Sequence, residues 1–264
     1  MQKKIIVVKI GGSTLGNHDT TLEDLVELQK QGKPIVVVHG GAKVTTEWLA
    51  RMGITTSFVN GLRVTDAETL KVVAAALGGL VNKELVVAIQ ALGGKAVGLS
   101  GCDGNLLWAS VKSPEMGYVG EIVAVDPTPL KLLLKAGYMP VVAPISFGSV
   151  EGRVTLLNVN GDTAAGEIAA ALAAEKLIFL TDVAGIHDGS EQVVHKLNLA
   201  EAKDMVASGL ASGGMIPKIE ASLRALTATK VVRVIDGRAV HALRDNIAGQ
   251  ARQIKSGGTT IVSE

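Results

Sequence analysis

Aromatic residues are scarce in this chain of 264 residues: two Trp, two Tyr and three Phe, 3% of the whole. A protein that stacks bases along a groove needs more. Lys+Arg 26 against Asp+Glu 25 gives a net charge of +1, without the basic excess that a phosphate backbone attracts. Nucleic acid is therefore not an expected partner. The single cysteine, Cys102, excludes an intramolecular disulfide and fits a reducing, cytoplasmic setting. No uncharged apolar run reaches about 18 residues, so no membrane span is expected. The amino terminus reads as a strand, so no secretory signal is expected. Several nucleotide and nucleophile signatures are also missing. There is no Gly-x4-Gly-Lys-Ser/Thr, no His-Arg-Asp or Asp-Phe-Gly and no Gly-x-Ser-x-Gly, and a lone cysteine makes a Cys-based zinc site unlikely to be the plan.

What is present, 47% hydrophobic and 19% charged residues, suffices for one large α/β domain or two lobes. Lys4–Ile10 is a short β-branched run stopped by Gly11-Gly12, with a helix expected over Thr20–Gln31. Strand, Lys9, glycine pair, helix is an order that suits a phosphate site at the carboxyl end of a parallel sheet; the same residues also make a plain turn with a snorkelling lysine. Pro34–His39, Gly40-Gly41 and a helix over Lys43–Met52 repeat the pattern. Two such turns side by side would form a paired anion cradle. Asn60–Asp66 reads as a loop holding Arg63, and Asp66 as the cap of a long helical stretch, Ala67–Leu92. Gly78-Gly79 in its middle reads either as a close packing surface for a second copy or as a kink.

Ala96–Ser100 and Met139–Ile145 read as strands, Asn105–Val111 and Gly117–Val125 as an antiparallel hairpin, and Thr155–Asn158 as a short extended piece. Asp126-Pro127 opens a helix to about Ala136. A small-residue helix, Thr163–Ala174, follows Asn158–Asp162; then come the strand Leu177–Thr181, the helix Leu197–Ser208 and a helix after Gly213-Gly214 that carries Pro217 and Lys218. Val231–Ile235, His241–Ala248 and Thr259–Val262 read as strand, helix and strand. The expected fold is α/β: a three-layer αβα sandwich with a mostly parallel central sheet and two lobes dividing near residues 170–176, an N-lobe of about 1–172 and a C-lobe of about 173–264.

Each residue that could carry chemistry has two readings at this level. Lys218 is either an exposed lysine on a polar helix face or a cation paired with an anionic ligand at a helix N-terminus. Asp162 is either a helix cap or a carboxylate that orients two lysines. Asn158 and Asn160 either cap turns or bind ligand; Arg63 forms a surface ion pair or forks onto a ligand carboxylate. His39 reads as a strand-end residue with a hydrogen-bonded ring rather than as a base, and Asp182 and Gly185 as a plain turn or part of a nucleotide pocket.

Taken together, Val8-Lys-Ile-Gly-Gly12, Val38-His-Gly-Gly41, Asn60-Gly-Leu-Arg-Val-Thr-Asp66, Asn158-Val-Asn-Gly-Asp162, Thr181-Asp-Val-Ala-Gly-Ile186 and Gly213-Gly-Met-Ile-Pro-Lys218 resemble, in order, the motif series of the amino-acid kinase family, from Lys4 to about Val262. One departure is Gly40-Gly41-Ala42, where the family usually has three glycines; alanine keeps its N–H. Asn60–Asp66 and Gly213–Lys218 favour the members that use ATP to phosphorylate the side-chain carboxylate of N-acetyl-L-glutamate in arginine biosynthesis.

The resemblance implies roles position by position. Lys9 and Lys218 would neutralise the transferring phosphoryl group and Asp162 would hold both lysines. N–H groups of Gly11, Gly12 and Gly41, beside Gly40, would meet phosphoryl oxygens. Gly41, Ala42, Arg63 and Asn158 would bind the acylated amino acid, with Arg63 on its α-carboxylate. Thr181, Asp182, Val183, Ala184, Gly185 and Ile186, with Leu210, Ala211 and Ser212, would lie along the nucleotide. Mg²⁺ would come with ATP, bound through phosphate oxygens and water, with no protein ligand. The attacking carboxylate, with a reference pKa near about 4.3, needs no general base. The family also implies a homodimer. Because arginine-inhibited members carry an extra amino-terminal helix and the first strand here begins by Lys4, insensitivity to arginine is expected. The rival readings are a kinase of the same fold acting on carrier-linked aminoadipate, and a non-catalytic amino-acid sensor.

Overall fold

The computed structural model describes residues 4–11, 20–211, 213–247 and 257–264. Gly12 and Ser212, both named above, lie outside these residues. Runs such as Ile-Val-Val-Val are apolar on both faces, so they are stable only between two helical layers. That is where β1 (Ile6–Ile10) and β2 (Ile35–His39) lie, joined through α1 (Thr21–Lys30). After α2 (Ala42–Arg51) the chain makes a hairpin, β3 (Phe58–Val59) and β4 (Leu62–Arg63), where the sequence suggested an irregular loop. Its two-residue turn puts Asn60 and Gly61 at φ of 48° and 78°. This is the left-handed pair that Asn-Gly adopts at least cost, and it matches the twist of the strands.

The long helical stretch is real but not uniform. Asp66 caps α3 (Ala67–Ala74), accepting from the Thr69 N–H at 2.7 Å, then a π-helical segment spans Ala75–Val81 before α4 (Asn82–Ala91). Gly78-Gly79 therefore sits in a widened turn rather than at a sharp kink. By length and composition Ala67–Ala91 is apolar enough to cross a membrane, with a mean hydropathy of 1.8, although no uncharged run of that length was expected. It carries Glu68, Lys71, Lys83 and Glu84, and Val72, Val73, Ala76, Leu77, Val81, Leu85 and Ile89 are buried within the protein.

β5 (Ala96–Ser100), β6 (Leu107–Val111), β7 (Gly120–Val125) and α5 (Thr128–Lys135) lead to β8 (Met139–Ala143), β9 (Ile145–Val150) and β10 (Arg153–Asn158). The expected strand Met139–Ile145 is thus two strands in different sheets. Pro144 has no N–H to extend the ladder, and the chain leaves the central sheet there. The antiparallel β6–β7 pair is present and is joined by β9 and β10 in the order β10-β9-β6-β7. α6 (Gly161–Ala171), β11 (Lys176–Thr181), β12 (Lys196–Leu197), α7 (Leu199–Ala207), α8 (Met215–Ala225), β13 (Val231–Asp236), α9 (Ala242–Ile247) and β14 (Thr259–Val262) complete the described chain.

The central sheet runs β12-β14-β13-β11-β1-β2-β8-β5. Its neighbours are parallel except β13 and β14. Register places Lys9 of β1 between Phe179 of β11 and Val38 of β2, at the carboxyl end of the sheet. On one face Val7, Val36, Phe179, Ala165 and Ile219 form a core with α6 and α8; on the other Val8, Ile10, Val37, Leu25 and Ile89 do so with α1 and α4. The small residues of α6 let it meet α8 backbone to backbone: a Cβ on Gly166 would lie 2.5 Å from the Ala221 carbonyl oxygen. This close approach brings the first turns of two helices together.

Candidate active site

Those two first turns carry Asp162 and Lys218. The N-cap of α6 is Asn160, whose side-chain oxygen accepts from the N–H groups of Asp162 at 2.8 Å and Thr163 at 3.1 Å. Capping is therefore Asn160's task, and the Asp162 carboxylate is left free. It pairs through Oδ1 with Lys9 Nζ at 2.8 Å and through Oδ2 with Lys218 Nζ at 2.9 Å. Lys218 is 7% exposed, so the polar-face reading fails; its ammonium also stands 5.0 Å over the Phe179 ring. Burial pushes the Asp162 carboxyl up, but the two ammoniums outweigh it and hold its pKa at about 2. Burial pushes the Lys218 ammonium down, against the pull of Asp162. Two cations on one carboxylate leave a net positive charge in a nearly dry place, which is stable only if an anion joins it.

Lys9 and Asp162 form one end of a cavity of about 180 Å³, also lined by Gly40, Gly41, Ala42, Arg63 and Asn158. Gly40 donates its N–H to the Ile10 carbonyl at 3.0 Å, tying the second glycine turn to the first strand. The Gly11 N–H, expected to face a phosphoryl oxygen, instead donates to the Leu180 carbonyl at 3.2 Å, because β1 continues its pairing with β11 through that residue. Asn158, at the end of β10, donates from Nδ2 to Thr65 Oγ1 at 3.0 Å.

Arg63 is 8% exposed. Nη1 donates to Thr56 Oγ1 at 3.0 Å; Nη2 donates to Thr46 Oγ1 at 2.7 Å and to the Ala42 carbonyl at 3.3 Å. The guanidinium also lies 4.6 Å from the Phe58 ring centroid. All these partners are neutral, and among the described residues no carboxylate pairs with Arg63, so a surface ion pair is not its role. Burial lowers its pKa from the usual arginine value, yet a guanidinium stays charged in proteins. The hairpin that carries it ends on the opposite wall: a Cβ on Gly61 would lie 3.3 Å from the Gly213 carbonyl oxygen, just before α8.

The segment after β11 lies beside α8. Asp182 and Lys9 both bear electrostatically on Lys218. Thr181 and Ile186 are buried, Ile186 donating its N–H to Thr259 Oγ1 at 2.8 Å, and Gly185 packs on Thr259 as well. Val183 is half-buried and Ala184 exposed. Ala211 is fixed by its N–H to the Met205 carbonyl at 3.0 Å, and Leu210 is 53% exposed, its Cδ2 3.1 Å from where a Gly189 Cβ would be. The two segments assigned to the nucleotide are thus neighbours. Thr46, Thr56, Phe58, Leu77 and Pro144 were not foreseen at the cavity, because none stands in a glycine-rich motif.

Comparison with known proteins agrees with this geometry. Residues 4–236 match the model of the amino acid kinase family. A curated relative from Dehalococcoides mccartyi, named acetylglutamate kinase, is 42% identical over 265 residues, covering 98% of this chain and 95% of its own. One of the same name from Cereibacter sphaeroides is 45% identical over 242 residues, covering 90% and 82%. Among solved structures, smu.665 from Streptococcus mutans has a TM-score of 0.83 at 28% identity, covering 98% of this chain and 99% of that one. The chain belongs to the amino acid kinase family.

Proposed function

We propose that this chain transfers the γ-phosphoryl group of ATP to the side-chain carboxylate of N-acetyl-L-glutamate, giving N-acetylglutamyl 5-phosphate, the second step of arginine biosynthesis. The observation that carries this reading is the net-positive Lys9–Asp162–Lys218 centre at one end of a cavity whose other wall holds Arg63 without a carboxylate partner. A substrate with two carboxylates fits such a cavity. Its α-carboxylate takes the Arg63 fork, and its side-chain carboxylate reaches the lysine end. Gly41, Ala42 and Asn158 hold its polar groups, while Phe58, Leu62 and Leu77 supply apolar wall.

The chemistry then needs positioning and charge neutralisation. A carboxylate oxygen attacks the γ-phosphorus and the bond from phosphorus to the ADP oxygen breaks. ADP leaves with the electron pair, and no proton moves. Lys9 and Lys218 offset the charge of the equatorial oxygens, and Asp162 keeps the lysines apart and aimed. The C-lobe, about 173–264, holds the nucleotide through Thr181–Ile186 and Leu210–Ala211. The N-lobe, about 1–172, holds the acyl substrate. Both Asp162 oxygens are taken by lysines, and among the described residues no cluster of three His, Cys, Asp or Glu could hold a metal. These residues fit Mg²⁺ carried on the nucleotide's phosphates and water, where it would supply charge neutralisation.

We read the oligomer as a homodimer. Ala75, Gly79, Val87 and Ala91 form an exposed, small and apolar stripe on the Ala67–Ala91 stretch, suited to a second copy of itself. Sedimentation equilibrium at twice the chain mass is the expected result. The test of the activity is acyl-phosphate formation trapped as hydroxamate, with N-acetylglutamate, free glutamate and N-acetylaminoadipate compared side by side. Turnover of N-acetylglutamate alone is expected. Turnover of none of the three would overturn the assignment and leave a carrier-linked substrate or a sensor.

A further inference from the structure

His39 is an ionisable residue with no solvent exposure, and the phosphoryl-transfer scheme gives it no task. Its hydrogen bonds allow one arrangement. Nδ1 lies 2.8 Å from the Gly40 carbonyl, which can only accept, so Nδ1 carries the proton. Nε2 lies 3.1 Å from Nδ2 of Asn82, itself fully buried. The Asn82 amide is oriented by three more contacts: Nδ2 donates to the Val141 carbonyl at 2.9 Å and leans on that of Leu99 at 3.4 Å, and Oδ1 accepts from Lys83 Nζ at 3.0 Å. Nε2 is therefore an acceptor held opposite a fixed donor. Protonating it would set two N–H groups face to face, with Lys9 on β1 and Lys83 on α4 adding like charge. The pKa is accordingly pushed down, chiefly by burial, to about 4.

The consequence lies one bond further along. A trans peptide is planar, so its C=O and N–H point in opposite directions. Drawing the Gly40 carbonyl onto the His39 ring turns the N–H of the same peptide, that of Gly41, away from the ring. Gly40 and Gly41 both line the cavity, and among the described residues no protein acceptor takes the Gly41 N–H. Leu77 and Val81 press on Gly41 from the π-helical segment and keep it from shifting back. We propose that His39 and Asn82 are positioning residues: Asn82 fixes the ring's tautomer, and the ring fixes the peptide that presents the Gly41 N–H to the transferring group. This rests on the reading of the cavity given above.

The test contrasts two amides at position 39. Asparagine places an N–H where Nδ1 stands; glutamine carries its amide one bond too far, toward Nε2. His39→Asn and His39→Gln lose similar packing, so a structural role would lower the melting temperature and kcat alike in both. The proposal expects kcat in His39→Asn to exceed that in His39→Gln by about tenfold. KM for ATP and for N-acetylglutamate should stay within about threefold of the wild type, since the groups that bind both are untouched. Equal kcat in the two variants would overturn the proposal. Should either fail to fold, Asn82→Ala keeps the ring and frees its tautomer; wild-type kcat in that variant refutes the proposal as well. Wild-type enzyme runs in the same assay: no turnover there refutes the proposed function instead.

Discussion

Arg63 and Leu210 stand at the two ends of the proposed site, the first 8% and the second 53% exposed. The acyl end is dry and over-determined. Arg63 is held by two threonines, a carbonyl and a ring; Asp162 is held by two lysines; the glycine turn is held from beneath by His39. The nucleotide end offers an exposed leucine, a short loop and a backbone tie at Ala211. The difference follows from what each partner brings. A small dianion gives a site few atoms to grip, so affinity has to come from preorganised charge. A nucleotide supplies a large flat base and many phosphate oxygens, so an open surface suffices.

The sharpest break in this comparison should come at the charged centre. Lys9→Ala or Lys218→Ala removes a donor that counts most in the transition state. kcat in the hydroxamate assay should fall by about a hundredfold to a thousandfold, with KM for either substrate changing far less. The two ends should then separate. Arg63→Ala should raise KM for N-acetylglutamate about ten- to a hundredfold, as expected for a lost charge-assisted fork, and leave KM for ATP near normal. Leu210→Ala should do the reverse and only by about threefold, the weight of one partly exposed apolar contact. If Leu210→Ala costs as much as Arg63→Ala, the contrast between a sealed and an open end is wrong.

The smallest expected effect is on stability. The His39 pKa is lowered from 6.5 to about 4 in the fold, so between these values the unfolded chain binds a proton that the folded chain refuses. Stability is therefore full above about pH 6.5 and declines as the pH falls toward 4, by about 3 kcal/mol in all. Asp162, lowered from 3.8 to about 2, adds stability that is present above 3.8 and lost below it, so both groups make acid destabilising. Calorimetry between about pH 7 and pH 4.5 should show the drop in Tm, and His39→Asn should show a smaller one.

Much of this was readable from residue order. Short β-branched runs ending in Lys9-Ile-Gly-Gly and His39-Gly-Gly gave the parallel sheet and the end of it where ligands gather, because strand length and glycine turns are local properties. Asp162 was identified, but its freedom from capping was not, since that depends on Asn160 taking the cap two residues earlier. The hairpin under Arg63 was taken for a loop although Asn60-Gly61 is a strong turn pair; strands of two residues carry too little periodicity to show. β9 was missed because it shares an apolar run with β8, and only Pro144 marks the change of sheet. The Asn82–His39 contact joins residues 43 apart, and nothing in either neighbourhood announces it.

The π-helical segment Ala75–Val81 sets a phase for everything that follows it. An α-helix turns about 100° per residue, and a π-bulge behaves as one residue added without adding a turn. Asn82 meets His39, and Leu77 and Val81 meet Gly41, on the same side of the helix because of that slip. Deleting one residue inside the segment would restore a regular helix, keep its composition, and rotate Asn82 by about a quarter turn out of reach of the ring. The spacing of this helix is thus a constraint on insertions and deletions that a substitution scan would not reveal.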